Sequence, residues 1–478
     1  MNIIRKKVLL IYPHSSIEVF ASTKIRVAIP VIPYISLAMI GGSLLRDGHD
    51  VHILDLSVSS EPERDIDEAV KDFKPQYIGI SFTSALSKEA IEIVQKIKKI
   101  NSDIIAIAGG VHSTTLPEET LKNSSFDIAV IGEGEDTMRE IISGKNYEEI
   151  LGIAYKKNGE IKVNSRRPFV EDIDSLPLPA WHLYDIKKYH TPRINSRRNP
   201  VGAMETSRGC PFTCVFCNKT VFARIFRAKS AERVVDEMEY MLRMGFREIH
   251  IWEDGFSTDL NRAKEICRLI IKRKLYFPWN IYNGIRVDRI DEELLRLLKK
   301  AGCYRISIGI ESGNQNVIKI VNKGITLEQI RRAVKIIKEA GIESLGFFMV
   351  GLPGDTEGTM QDTINFAKEL KLDLPKVGML MPLPGTPVFA DWEKKGLIKS
   401  RDWSKYIFHA ERSAVYSHPN LDFATIRRYY DKFYRELYLS PRFIWKRFWR
   451  GLRTGDIFYD IYYFLKIMPY GWFNSTLK

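Results

Sequence analysis

Short apolar runs, each followed by a stretch of helical periodicity, recur along most of this chain. That alternation restricts the fold to parallel sheets covered by helices. In the first 150 residues the candidate strands are "VLLIYP" (8–13), "VHILDL" (51–56), "YIGISF" (77–82), "IIAIAGG" (104–110) and "DIAVIGEG" (127–134). Between the third and fourth, Ala90, Ile91, Val94, Ile97 and Ile100 keep helical spacing. This predicts a doubly wound, Rossmann-like α/β domain over residues 1–150. Such sheets bind ligands outside the carboxyl ends of their strands. There the chain places Ser81 and Thr83, then Gly109 and Gly110, then Gly132 and Gly134. Small residues at these turns let a large ligand approach the backbone.

Residues 151–200 read as a linker, with a hairpin in "GIAYKKNGEIKV", a proline-rich "SLPLPAWHLYD" and a basic loop. A second series starts near Gly202, with candidate strands at 202–207, 247–252, 278–284, 304–310, 344–350 and 377–382. Helical segments such as Ala231 to Met244 and Leu327 to Ala340 separate them. Six such units in 201–400 predict a partial (β/α)6 barrel, smaller than the eight-unit form. From 401 to 478 the pattern turns helical, aromatic and basic.

Three of the five cysteines fall inside "SRGCPFTCVFC": Cys210, Cys214 and Cys217, spaced C-x3-C-x2-C. An odd cysteine count with a tight cluster argues for reduced thiols, hence a cytoplasmic protein, and against a disulfide scaffold. Clustered thiolates select zinc or iron–sulfur. Structural zinc wants four protein ligands, and no nearby His or Cys completes a set. Three thiolates suit a 4Fe–4S cluster with one iron left open to a ligand. Cys267 and Cys303 lie far along the chain, where a buried free thiol is the plain expectation.

C-x3-C-x-aromatic-C after the first strand of a βα series resembles the signature of radical S-adenosylmethionine (SAM) enzymes. The resemblance implies that the three thiolates hold three irons, and that SAM chelates the fourth. Phe216, the aromatic of the motif, then lies near the adenine. It also implies that Glu253 and Asp254 in "IWEDGFS" sit beside the SAM amino group. Glu311 and Ser312 in "ISIGIESG" meet its ribose and adenine, and Arg286 pairs with a carboxylate. "GLPGDTE" and "MPLPGTP" resemble turns that shape the family's pocket. Upstream, "IPVIPYISLAMIGGSLLRDGHDVHILDL", "AGGVHSTTLPEE" and "IGEGED" resemble the cobalamin-binding domain of one large radical SAM subclass. Ser81, Thr83, Gly109, Gly110, Gly132 and Gly134 would then make room for the corrin and its benzimidazole tail. The D-x-H-x-x-G motif that supplies a cobalt-ligating histidine is absent, and His112 reads as a hydrogen-bonding loop residue.

The resemblance implies a cobalamin-dependent radical SAM C-methyltransferase acting on an unactivated carbon of a small-molecule or lipid substrate. A flavodoxin- or ferredoxin-type donor would supply the electron. The alternatives are a cyclase, ring-rearranging or hydroxylating enzyme with the same domains, and a non-enzymatic iron–sulfur protein for RNA or electron transfer. A methylthiotransferase would need a second cysteine triplet, which is missing. The net charge of +13 is uneven, with 14 Lys+Arg against 7 Asp+Glu in residues 401–478, alongside 22 of the 53 aromatics. No RRM or KH signature accompanies them, so nucleic acid is not the expected partner. A cap with an aromatic core and a peripheral membrane contact remain the two readings of this tail.

Overall fold

A computed structural model describes residues 5–14, 30–407 and 415–467. The first domain runs β1 (Lys7–Tyr12), α1 (Ile35–Arg46), β2 (Asp50–Asp55), α2 (Pro62–Phe73), β3 (Tyr77–Ser81), α3 (Ser87–Ile100) and β4 (Ile105–Gly109). The short α4 (Val111–Thr115) and α5 (Pro117–Lys122) follow, then β5 (Ile128–Val130), α6 (Glu135–Ser143), β6 (Ile153–Lys157) and β7 (Glu160–Val163). Its sheet has the order β2-β1-β3-β4-β5-β6-β7, with the first five strands parallel. Consecutive residues of one strand serve opposite faces. Leu10 packs into one apolar layer and Leu9 and Ile11 into the other, all nearly fully buried. Each such side chain contributes roughly 1.5–3 kcal/mol. The hairpin β6–β7, expected in the linker, is instead built onto this sheet, antiparallel to β5. β5 stops at Val130, short of the expected 134, because Gly132 turns the chain with φ +90°.

The linker is a packed wedge. Ala180 N donates to Ala38 O of α1 at 2.8 Å, and Trp181 sits edge-on to Phe246 with ring centroids 5.4 Å apart.

The second domain contains β8 (Val201–Met204), β9 (Ser207–Arg208), β10 (Arg227–Ala228), α7 (Ala231–Arg243), β11 (Glu248–Ile251), α8 (Leu260–Lys272), β12 (Trp279–Ile285) and α9 (Glu292–Lys300). It continues through β13 (Cys303–Glu311), α10 (Gln315–Ile320), α11 (Leu327–Glu339), β14 (Glu343–Val350), α12 (Glu357–Leu370), β15 (Leu374–Met379) and α13 (Pro387–Lys394). The helices from α7 to α13 each start on a Ser, Thr, Asp or Asn whose side chain accepts a backbone N–H of the first turn. β8, β11, β12, β13, β14 and β15 form the expected six-stranded parallel sheet, in the order β15-β14-β13-β12-β11-β8. β15 begins three residues before its expected start. It tolerates Pro375 because it is an edge strand.

That edge is sealed by the tail. In α14 (Phe423–Tyr438) the Tyr434 hydroxyl accepts from Val377 N and donates to Val377 O at 3.0 Å. Tyr438 donates to Pro375 O at 2.7 Å. Tyr430, Phe433 and Leu437 bury beside them, which bears out the aromatic cap for this helix. α15 (Pro441–Thr454) and α16 (Ile457–Ile467) continue at the starts of the barrel strands, where Arg450 meets Glu343 at 2.8 Å and Lys446 meets Asp373 at 2.8 Å. Among the described residues no helix is long and apolar enough to cross a membrane. The end of the aromatic run, to Phe473, lies outside the described residues.

Candidate active site

The cysteine loop, residues 209–226, is closed at its base by the antiparallel pair β9–β10. Gly209 opens it at φ +77°, and a Cβ there would stand 2.2 Å from Ile225 O, so only glycine fits. The loop is clamped from three sides. Val215 N donates to Val321 O at 3.1 Å, Val388 N donates to Val215 O at 3.0 Å, and Thr115 of the first domain meets Thr220 at 2.9 Å. Asn218 donates to Pro384 O at 2.8 Å, so the "MPLPGTP" turn holds the loop as well as shaping the pocket.

Cys210, Cys214 and Cys217 are free thiols with partial exposure, whereas Cys267 and Cys303 are buried in α8 and at the start of β13. Burial pushes the Cys214 and Cys217 thiols up, opposed by Lys323 beside the first and Lys219 beside the second. Among the described residues no three His, Cys, Asp or Glu side chains converge on a single ion. A closed zinc site needs such convergence. A cluster that spreads its ligands over separate irons does not, and three partly exposed thiols on one clamped loop fit it.

The expected SAM contacts separate into two groups. Asp254 is exposed at the end of β11, close enough to Cys217 for its charge to act on the thiol. Phe216 packs partly buried against the apolar cluster around Leu352 and Phe389. Glu311 ends β13 in a left-handed conformation, φ +66°, and receives Lys323 Nζ at 2.7 Å. A non-glycine residue held there carries strain, as residues at ligand sites commonly do.

The other three are committed to the chain itself. Glu253, expected beside the SAM amino group, faces inward. It accepts from Thr206 N at 2.5 Å, Ser207 N at 3.1 Å and Ser207 Oγ at 2.8 Å, and burial raises its pKa. Ser312 is fully buried, meeting Thr363 Oγ1 at 3.2 Å and accepting from Asn314 N. Arg286 does make a bidentate pair, but with Asp288, at 2.9 and 3.2 Å, while its guanidinium lies 3.5 Å from the centre of the Phe212 ring. Glu253 and Arg286 thus brace the base and one side of the cysteine loop, whereas Ser312 ties the end of β13 to α12.

In the first domain, a cavity of about 160 Å³ opens at the carboxyl ends of β1, β3, β4 and β5, beneath α1 and α6. Ser81, Gly109, Gly110, Gly132 and Gly134 line it; Thr83 is exposed and does not. A Cβ on Gly109 or Gly132 would meet its nearest neighbours at 3.8–3.9 Å, ordinary contact distance, so neither position is closed by a clash, although Gly132 at φ +90° favours glycine. Gly110 is required for another reason: at φ +93° its Cβ would strike Phe82 O at 2.6 Å. The inner wall is apolar, with Leu10, Ile107 and Met138. A dry cavity of ~150 Å³ holds one benzene, so the slot suits an aromatic appendage of a larger ligand spread over the glycine turns. His112 does not line it; its Nδ1 meets Ser84 Oγ at 3.0 Å, and burial lowers its pKa to about 4.

The far wall of the same cavity belongs to the second domain, through Glu205, Arg208, Val221 and Phe222. Arg208, two residues before Cys210, reaches Glu133 at 2.7 Å, Glu135 at 2.5 Å and Glu205 at 2.7 Å, and Arg227 joins Glu133 at 2.9 Å. Burial alone would raise Glu135, but Arg208 holds it below the usual carboxylate range. Sequence reasoning passed over this network, although "SRGC" and "GEGE" contain three of its members.

A three-thiol loop at the mouth of a six-stranded parallel barrel, facing the strand-end crevice of a doubly wound domain, defines an iron–sulfur enzyme with a second, corrinoid-type cofactor domain. The B12 binding domain pattern matches residues 26–142, and the Radical SAM superfamily pattern matches residues 204–367. This chain belongs to the radical SAM superfamily, in the form that carries a B12-binding domain. An uncharacterised methyltransferase of Pyrococcus horikoshii is 33% identical, over 78% of this chain and 81% of the relative. The anaerobic magnesium-protoporphyrin IX monomethyl ester cyclase of Rubrivivax gelatinosus is 31% identical, over 78% of this chain and 68% of that enzyme. The solved structure of the cobalamin-dependent S-adenosylmethionine radical enzyme OxsB superposes with a TM-score of 0.71 at 20% identity, covering 97% of this chain and 72% of that one.

Proposed function

We propose that this protein is a cobalamin-dependent radical SAM enzyme that methylates an unactivated carbon of a small molecule. The observation that carries the reading is the shared wall: Arg208, Val221 and Phe222 of the cysteine-loop segment line the crevice of the B12-binding domain. When bound, the cluster with SAM supplies hydrogen-atom abstraction and the corrinoid supplies a methyl group. The chain's part is placement. Cys210, Cys214 and Cys217 would hold the cluster, and Asp254, Glu311 and Phe216 would meet SAM. Gly109, Gly132 and Ser81 give the corrinoid room, and the Arg208 network fixes the two halves against each other.

Anaerobically reconstituted protein, given SAM with a deuterated methyl group, a strong reductant and a metabolite extract, should yield 5′-deoxyadenosine and a product carrying the label. A product without the label would favour the cyclase reading, which the R. gelatinosus relative supports. Failure to retain a corrinoid would remove methyl transfer. A flavodoxin- or ferredoxin-type protein is the proposed electron donor, and a net charge of +13 suits an acidic carrier.

We further propose that α15 and α16 rest on an anionic membrane surface. Trp445, Trp449 and Phe458 are 63%, 54% and 80% exposed. Amphipathic aromatic rings favour the headgroup region. These helices pack at the starts of the barrel strands, opposite the cysteine loop, so the contact anchors the enzyme and does not feed a lipid substrate to the cluster.

A further inference from the structure

The barrel is not packed through its centre. Alternation along the strands puts Trp252, Tyr282, Phe347, Met349 and Lys376 on the inner face, and each is only partly buried. Their outer-face neighbours Ile251, Ile281, Phe348, Val350 and Val377 are at most 2% exposed. A Cβ on the inner-face Gly378 would meet nothing within 4 Å. An eight-stranded barrel fills this space with layers of branched side chains; here it is a lumen.

The lumen has a floor at the strand starts. Tyr304 donates to Glu248 at 2.6 Å and accepts from Asn280 at 2.9 Å, and Arg305 pairs with Glu343 at 2.9 Å. Arg197 of the linker stacks on Tyr304 from below, 4.1 Å from the ring centre. These charges are matched within the floor.

Lys376 is not matched. Register sets it level with Phe347 and Gly309, above the floor. Its Nζ reaches only Asn195 Oδ1, at 3.5 Å, and lies 5.9 Å from the Tyr282 ring centre. Among the described residues no carboxylate comes within ion-pair distance of it. Burial, with Arg305 nearby, lowers its pKa to about 8, which leaves it protonated near neutrality. Two further donors one inner-face position below it, Trp252 Nε1 and Ser307 Oγ, are buried without partners. Tyr282 stacks on Trp252 at 5.1 Å, making a flat aromatic wall. An ammonium enclosed without a counter-ion is costly to keep unless something supplies the charge.

We propose that Lys376 makes this enzyme specific for an organic anion: a carboxylate or phosphate seated on Lys376, with a flat apolar body against Trp252, Tyr282 and Phe347. The next inner-face position, Gly378, lies ~7 Å further toward the strand ends. The end of the substrate remote from its charge therefore stands at the mouth, beneath the cysteine loop. The inference rests on the enzymatic reading above, since it takes that mouth as the place of reaction.

The test is equilibrium dialysis of reconstituted holoenzyme, at saturating SAM, with 2-naphthoate, 2-naphthyl phosphate and the neutral 2-naphthalenemethanol. One anion should bind at least about tenfold tighter than the alcohol, as a charge-assisted hydrogen bond implies, and which one does so decides between carboxylate and phosphate. Lys376→Met should erase the preference and Lys376→Arg should keep it. No preference for either anion, or a preference that survives in Lys376→Met, overturns the proposal. So does a preference seen only without SAM, which would make Lys376 a partner of the SAM carboxylate. Iron and corrinoid contents of the same samples are read separately, so loss of a cofactor counts against the proposed function and not against Lys376.

Discussion

Arg208 and Glu133 belong to different domains, 75 residues apart, yet their side chains meet at 2.7 Å with neither more than 4% exposed. The same guanidinium serves Glu135 and Glu205, so the segment that leads into Cys210 is also the pin between the two cofactor domains.

Removing that pin should be expensive. In Arg208→Ala, Glu133 keeps Arg227, but Glu135 and Glu205 lose their cation. Stranding the buried Glu135 carboxylate costs roughly 3–5 kcal/mol. Denaturant unfolding should show a loss of that size together with weaker corrinoid retention. A loss below ~1 kcal/mol would mean that the domains do not depend on this contact.

The thiols should divide by location. Cys210→Ala, Cys214→Ala and Cys217→Ala should each fail to assemble a cluster of about four irons after anaerobic reconstitution. Cys267→Ala and Cys303→Ala should bind iron normally and lose only about 1 kcal/mol of stability from core packing. Iron loss in Cys267→Ala would show that the ligand set is misassigned.

His112 makes acid stability measurable at one site. Its pKa falls from 6.5 to about 4 on folding, because burial disfavours the imidazolium. Between these values the unfolded chain binds more protons than the native one. The stabilisation is therefore present above pH 6.5 and lost as pH falls toward 4, by about 3 kcal/mol in all. His112→Gln should flatten this part of the stability–pH curve and leave the spectrum of bound cobalamin unchanged. A changed cobalt spectrum would make His112 a ligand after all.

The strand pattern was legible because it obeys local rules. The helical spacing of Ala90, Ile91, Val94, Ile97 and Ile100 falls within α3, and the six barrel strands fall close to their expected positions. What local rules could not reach was burial created by docking. Glu133 lies in the turn after β5 and Glu135 opens α6, where acidic residues ordinarily face water, and Arg208 and Arg227 of the second domain with Val170 of the linker close over them. Lys376 falls just before the expected strand at 377–382, and its neighbours in space, Asn195, Tyr282, Arg305 and Phe347, come from the linker and three other strands. Glu253 and Asp254 are adjacent in the turn after β11, but one is held by Thr206 and Ser207 and the other lies near the Cys217 thiol.

The exposed rings of α15 and α16 should bring the protein down with anionic vesicles, and Trp445→Ala/Trp449→Ala should weaken this severalfold. Lys446, Arg447 and Arg450 are held by Asp373, Asp460 and Glu343. Aromatic insertion then outweighs charge, and binding should persist in part at high salt, beyond what a purely electrostatic contact would allow. Absence from the vesicle pellet at low salt would leave α15 and α16 as a cap only.

Tyr434→Phe/Tyr438→Phe should lower stability by roughly 2 kcal/mol, since it strips partners from the buried edge of β15. Chemical denaturation of the double variant measures this. A change within ~0.5 kcal/mol would mean that water replaces both hydroxyls.

The seal on that edge also sets how adjustable the enzyme is. A barrel closed by strand pairing has a circumference fixed by its ladder, and it cannot widen without breaking backbone bonds. Here one side is a seam stitched by two tyrosine hydroxyls and the packing of Phe433 on Phe348. α14 thus covers the free backbone of β15 from outside the sheet, and substitutions along that one helix face reach the barrel's edge while leaving the six-strand ladder paired as before.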